Sequence, residues 1–490
     1  MNRREQLINR VIDFFRQASA SWFYPTNSWL SAWMNRIFLP ALYLVGLYQW
    51  ADFLNWGKIP FQLADWADIT APMLAFLKDA ATRGVLPLHT PLTSALRHAT
   101  DRFMATPDNI LSPQVILLRF MDPGVFILLN TLVLYTLSFW GLLLIRRRFK
   151  LSVGAFFICF FLFTFNGHIA DHLSVGHLWA ESYFLLPFFC LLVFDLLEGQ
   201  VGWKWICSMA LLFFAFFLQG SLHLFMWCFL FLALLGISSF RLLKPVGLAL
   251  LFAILTSMYR ILPTALVAGE FKIGFFSGFP TVGDLLNGLV TLIEPARALE
   301  TRTPLTPLLG WYEFDHYIGW VGFFFILFFG IYLWLKKTSL QSPYLRLALP
   351  MAGLTFLSIG RLYKPVFLLG IPMLTGERVT SRFLILPLVF LFIMGVVHFQ
   401  RWLDTRQPGA GIQALLLGLL LVLANDMLQH MELWKVTQLD TLFPLAPALT
   451  SELWVVANHP DPPYFLALAV GACISLLSII YLIFKALRSQ

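Results

Sequence analysis

The stretch ADWADITAPMLAFLKDAATRGVLPLHTPL, Ala64 to Leu92, sets Asp65 and Asp68 side by side in an otherwise oily chain, directly after its first hydrophobic span. Inside it Met73, Leu74, Phe76 and Leu77 recur at helical spacing, which predicts a short amphipathic helix over Ile69 to Arg83, stopped by Gly84. Ser94 to Arg102 reads as a second short helix. Because the stretch follows a span, its side of the membrane can be deduced from the rest of the chain.

The surroundings fix the solvent. Of 490 residues 59% are hydrophobic and only 12% charged, with 50 Phe, 17 Trp and a mean hydropathy of +0.76. Soluble domains carry about 25% charged residues, so the composition excludes one and predicts an all-α polytopic membrane protein. Every backbone polar group in lipid must be paired within its own element, and the alternating pattern of an outer-membrane barrel is absent, so the spans are helices. No nucleic-acid partner is expected. The five cysteines lie in apolar segments with no metal spacing and read as packing residues.

Twelve spans are predicted, at about 37–55, 122–144, 152–168, 179–197, 205–220, 222–240, 245–263, 317–335, 347–362, 383–400, 411–429 and 463–484. Residues 1–36 read as a basic amphipathic segment on the cytoplasmic face, 37–400 as a catalytic transmembrane module, and 401–490 as C-terminal transmembrane helices. Basic clusters, among them Arg146 to Arg148, Lys336 with Lys337, Arg401 with Arg406, and Lys485 with Arg488, fall on one side, which the positive-inside rule makes cytoplasmic. The outer loops are then 56–121, 168–178, 264–316, 363–382 and 430–462. Their length puts function on the outer face of a cytoplasmic membrane.

An acidic residue just after span one, a short helix and the step Gly84-Val85-Leu86-Pro87-Leu88 resemble the GT-C superfamily of membrane glycosyltransferases. FNGHIADHLSVGHLWAESYFLLPF, Phe165 to Phe188, and GERVTSRF, Gly376 to Phe383, resemble bacterial members of the same group. The resemblance implies a first outer loop holding the catalytic carboxylate, a polyprenyl-phosphate-linked sugar as donor, and an acceptor outside the membrane. It puts Asp68 at the position of the base with Asp65 one turn before it. Asp68-Ile69 stands where many members have Asp-Glu, so the choice between the two aspartates is open.

Sugar transfer needs a base for the acceptor proton and a cation for the departing phosphate. Asp65 and Asp68, spaced i, i+3, would face one cavity on a helix; either would equally serve as a helix N-cap. Arg378 and Arg382, spaced i, i+4 at the mouth of span ten, are the leading phosphate ligands, followed by Arg260, with Arg361 and Lys364 behind them. Interfacial arginines also simply anchor to headgroups. His177 and Glu313 are further candidates for binding substrate. The resemblance implies an acidic pair holding a divalent metal in the second outer loop, where this chain offers Asp171 and His172. The alternative there is interfacial histidines bonded to headgroups. The rival to the enzyme is a twelve-helix transporter or lipid flippase, which would place ionisable residues near mid-membrane and show pseudo-symmetric halves; no internal repeat is visible.

Overall fold

A computed structural model describes residues 21–24, 29–91, 100–270, 276–293, 310–337, 342–370, 376–441 and 453–489. The segment 1–20, most of the predicted helix at 94–102, and much of the outer loops at 264–316 and 430–462 lie outside the described residues. The described residues form helices joined by turns; the only β pairing among them is three isolated bridges, His89 with Arg102, Ser277 with Val379 and Phe279 with Ile359.

Seven described helical stretches are long and apolar enough to cross a bilayer: Pro123–Phe149, Val153–Val175, Leu178–Leu197, Gly319–Lys337, Thr380–Arg406, Ala410–Leu433 and Pro462–Arg488. Each matches a predicted span. The pair Phe240–Thr256 and Met258–Val267, bent by 70° at Ser257, makes an eighth if counted as one crossing. This is a multi-pass helical membrane protein; among the described residues seven or eight stretches, and not all twelve predicted spans, are single helices of that length and apolarity.

Most of the other predicted spans are short, bent or broken for local reasons. Trp203–Leu218 and Leu222–Ile237 have 16 residues each, about 24 Å of helix against a hydrocarbon core of about 30 Å. They are parted at Gly220, whose φ of +70° ends the first. The expected span at 347–362 breaks at Ser358 and Ile359, where the backbone leaves the helix to pair with Phe279 (Phe279 N to Ser358 O, 3.0 Å; Gly360 N to Phe279 O, 3.2 Å). Trp29–Phe53 is a 25-residue helix at the predicted first span, long enough to cross but less apolar than the seven.

The described residues form one large hydrophobic cluster from Phe23 to Leu482, with a small second one of Ala105, Val267 and Tyr464. Its centre is Val153–Val175, wholly buried, beside Thr380–Arg406, nearly so. Pro462–Arg488, Ala410–Leu433 and Gly319–Lys337 lie outside them and present Leu466, Leu477, Ile480, Leu421 and Trp320 outward. Large exposed apolar side chains on peripheral helices are what a bilayer covers.

The predicted amphipathic helix is present as Ala71–Arg83, burying Met73, Leu74, Phe76 and Leu77 and ending at Gly84 in the left-handed conformation (φ +65°). The predicted outer loop at 168–178 is not a loop. Its first residues form the helix Gly167–Val175, every residue of which is buried, so His168 and His172 do not reach headgroups. Ile169, Ala170, Leu173 and Val175 carry this turn into the core along with its polar residues.

Candidate functional site

A break at Phe165 and Asn166 builds the site's floor. Asn166 starts a new helix, its side chain accepting from Ile169 N (3.4 Å) and donating to Phe163 O (2.9 Å) and Tyr183 Oη (2.8 Å). Gly167 follows because the segment at 315–317 lies against it; a Cβ there would come within 2.1 Å of Asp315 Oδ1. At the far end Gly176 turns the chain with φ +99°. The π-helical turn Trp66–Thr70 docks on this end, with Trp66 Nε1 donating to Ser174 O (2.6 Å) and Thr70 Oγ1 to Gly176 O (2.7 Å).

That docking brings Asp65 to His177, with Oδ2 2.7 Å from Nε2. The other nitrogen of His177, Nδ1, lies 2.7 Å from Nδ1 of His172, so one imidazole donates and the other accepts. His168 follows, its ring centroid 4.6 Å from that of His172, and then His316 at 5.1 Å from His168. Asp65 is 31% exposed while His168, His172 and His316 are buried, so the line runs inward from the surface. His168 (both ring nitrogens), His172 Nε2, His316 Nε2 and Trp227 Nε1 are buried without a hydrogen-bond partner in the protein. Folded proteins leave such groups unpaired chiefly where a ligand or ordered water completes them.

Beside this line the buried pair Arg382 and Glu313 meets through two parallel bonds, Nε to Oε2 at 2.7 Å and Nη2 to Oε1 at 2.5 Å. The guanidinium also lies over Trp179, 4.9 Å from the ring centroid. Burial pushes the Glu313 carboxyl up, but the Arg382 charge outweighs it and holds Glu313 below the usual carboxylate range. Burial lowers His316 to about 4, so its imidazole is neutral. Tyr312 comes within 5.8 Å of His177, ring to ring, and His223 bonds Glu377 at 2.7 Å next to Trp179.

A second cluster adjoins the first. Asp171, Asp315 and His430, all fully buried, can bring one ligand atom each within 4.8 Å of one another. His430 Nε2 is 3.2 Å from Asp315 Oδ2 and 3.5 Å from Asp171 Oδ1, and neither oxygen of Asp171 has a hydrogen-bond partner. Two buried carboxylates and an imidazole fit a divalent cation. His172, expected as the companion of Asp171, does not belong to this set.

Six of the eleven residues singled out from the sequence therefore meet at neighbouring positions: Asp65, His177, His172, Asp171, Glu313 and Arg382. The other five lie differently, Arg361 and Lys364 at exposed positions of the helix Gly360–Leu368. Asp68 sits in the π turn, where residues three apart diverge more than on an α-helix, and it is Asp65 that bonds His177. Arg378 is exposed in extended backbone bridged to Ser277, while Arg382 is buried in the 3₁₀ turn Thr380–Leu384, so the i, i+4 pairing expected of a helix does not apply. Arg260, fully buried beside the Ser257 bend, donates to the carbonyls of Met104 (3.2 Å) and Asn109. Sequence reasoning missed His430, His223, Glu377 and Tyr312. For His430 and His223 a signal existed: an ionisable residue in an apolar helix is costly unless it has a task.

No family model matches the chain, and no curated protein or solved structure is significantly similar to it.

Proposed function

We propose that this protein is an integral membrane glycosyltransferase that moves a sugar from a polyprenyl-phosphate donor to an acceptor on the non-cytoplasmic side, with Asp65 as general base. The observation that carries the reading is the line Asp65, His177, His172 beside the Arg382 and Glu313 pair: a partly exposed carboxylate oriented by a histidine, next to a buried guanidinium. A carboxylate has about four acceptor positions, so a bond from His177 is compatible with an acceptor hydroxyl on the same group.

In direct displacement the acceptor oxygen forms a bond to the anomeric carbon as the bond from that carbon to the phosphate oxygen breaks. The hydroxyl proton passes to Asp65 and the electron pair leaves on the phosphate. Arg382 meets Glu313 through Nε and Nη2, so its third nitrogen, Nη1, is the edge that would turn toward the leaving group. A divalent cation held by Asp171, Asp315 and His430 would add charge stabilisation for the same phosphate.

Orientation supports an external site. Arg382, His430 and His316 stand at or just before one end of their spans, while Lys336 with Lys337, Arg401 with Arg406, and Arg146 to Arg148 stand at the other. Basic ends favour the cytoplasm, which puts the cluster opposite.

With purified protein and a lipid-linked sugar donor, Asp65→Asn should lower turnover about a hundred- to ten-thousandfold, the range typical of a general base, and Asp68→Asn far less. Equal and small losses would refute the assignment of Asp65. A second reading, cation-coupled transport, draws on one observation, that Asp171 is buried within a span beside His430. Asp171→Asn that abolishes uptake into proteoliposomes, in protein with no transferase activity, would favour it.

A further inference from the structure

A second cluster lies at residues that the transfer reading does not use. Leu88 to Thr90 runs against Asp101 to Phe103, with Thr90 N to Asp101 O and Phe103 N to Leu88 O both at 2.9 Å, which puts His89 next to Asp101. Val456 N donates to His89 O at 3.0 Å, and this brings in His459 from the segment before the last helix. The result is two imidazoles and one carboxylate whose ligand atoms lie within 4.8 Å of one another.

We propose that His89, Asp101 and His459 bind a zinc-type divalent ion that fastens the segment before Pro462–Arg488 to the first outer segment. His89 Nδ1 is 3.3 Å and His459 Nε2 3.6 Å from the same oxygen, Asp101 Oδ2. With metal bonds of about 2.0–2.1 Å, two ligands of a tetrahedral site stand roughly 3.3–3.4 Å apart, so both separations need little movement to close on an ion. Two nitrogens and an oxygen suit zinc rather than magnesium or calcium.

The surroundings match a metal histidine as well. His89 is 1% exposed, and its other nitrogen, Nε2, has no hydrogen bond but lies 3.9 Å from Asp461 Oδ2. A ligating histidine commonly directs its second N–H at a carboxylate, which fixes the ring. Asp461 is itself held by Arg102, through Nε at 2.7 Å and Nη2 at 3.1 Å. His459 is 42% exposed, so an ion can arrive from solvent, and water can supply the fourth position.

The proposal is independent of the transfer reading. Full-length protein in detergent is stripped with chelator and titrated with Zn²⁺ alone, with metal content read by mass spectrometry and Co²⁺ used as a visible probe of tetrahedral geometry. Beyond any ion at Asp171, Asp315 and His430, the wild type should bind one equivalent that His459→Ala and Asp101→Asn lose and Asp171→Asn keeps. Asp461→Asn should weaken binding about 10- to 100-fold. Zn²⁺ should raise the melting temperature of the wild type and not of His459→Ala, a variant altered at an exposed side chain. Binding unchanged in His459→Ala, or no bound equivalent in Asp171→Asn, would overturn it.

Discussion

Arg382 and Glu313 are each less than 10% exposed and satisfy one another. Removing one partner of such a pair leaves a buried charge, whereas replacing both by apolar groups of similar volume is often neutral. Glu313→Gln should therefore cost roughly 3–5 kcal/mol of stability, read as a lower melting temperature. Arg382→Lys, which keeps the charge but loses the fork, should lose both stability and turnover. The double variant Glu313→Gln with Arg382→Met should regain stability without regaining activity; recovery of activity would show that the guanidinium serves only the fold. His316 makes a prediction about pH. Its folded value near 4 lies below the ordinary 6.5, so the unfolded chain binds the proton more readily between the two. Its contribution to stability is present above about pH 6.5 and is lost as pH falls toward 4, by roughly 3 kcal/mol at 1.36 kcal/mol per unit. His316→Gln should show a shallower acid slope in thermal denaturation. Residue types were the legible part of this site. Asp65, His177, Glu313 and Arg382 stand out in sequence because ionisable groups are rare in this chain, but bonds that join residues 112 and 69 positions apart are set by packing alone.

At the scale of the element, regular helices could be read and their interruptions could not. Ala71–Arg83 shows its apolar spacing and its glycine stop openly. The π turn before it, the break at Ser358 and the bend at Ser257 leave no periodic trace, because each is decided by what lies against it: Gly176, Phe279 and the last helix. Gly176 tests this directly. Its positive φ disfavours any side chain, and a Cβ would stand 2.5 Å from Trp66 N and 3.0 Å from Asp65 C. Gly176→Ala should cost about 1–3 kcal/mol in backbone strain and push the π turn away from His177. Turnover should then fall further than in an equally destabilised variant made elsewhere. A loss matched by stability alone would mean that the turn tolerates displacement.

For the whole molecule, apolar composition was enough to give a helical membrane protein, and which apolar stretches form one long helix was not, because hydropathy does not separate an unbroken helix from a short or broken one. The axis of the molecule gives the last prediction. A reporter fused after Arg148 should lie in the cytoplasm, and one fused after Asp461 should lie outside, since the two positions stand at opposite ends of their spans. Both reporters on one side would reverse the orientation.

The contacts of the segment before the last helix also have a consequence for synthesis. Val455 bonds Asp79 and Arg83 (2.8 and 2.9 Å), Val456 bonds His89, and Asp461 bonds Arg102, so the first outer segment is completed only by residues made 359 to 376 positions later. A ribosome that releases this chain before Asp461 delivers most of the hydrophobic helices to the membrane with the first outer segment still unlatched. Copies that carry residues 455–461 and copies terminated before them should thus differ sharply in resistance to an external protease, giving the cell's surveillance machinery a simple way to tell latched copies from unlatched ones.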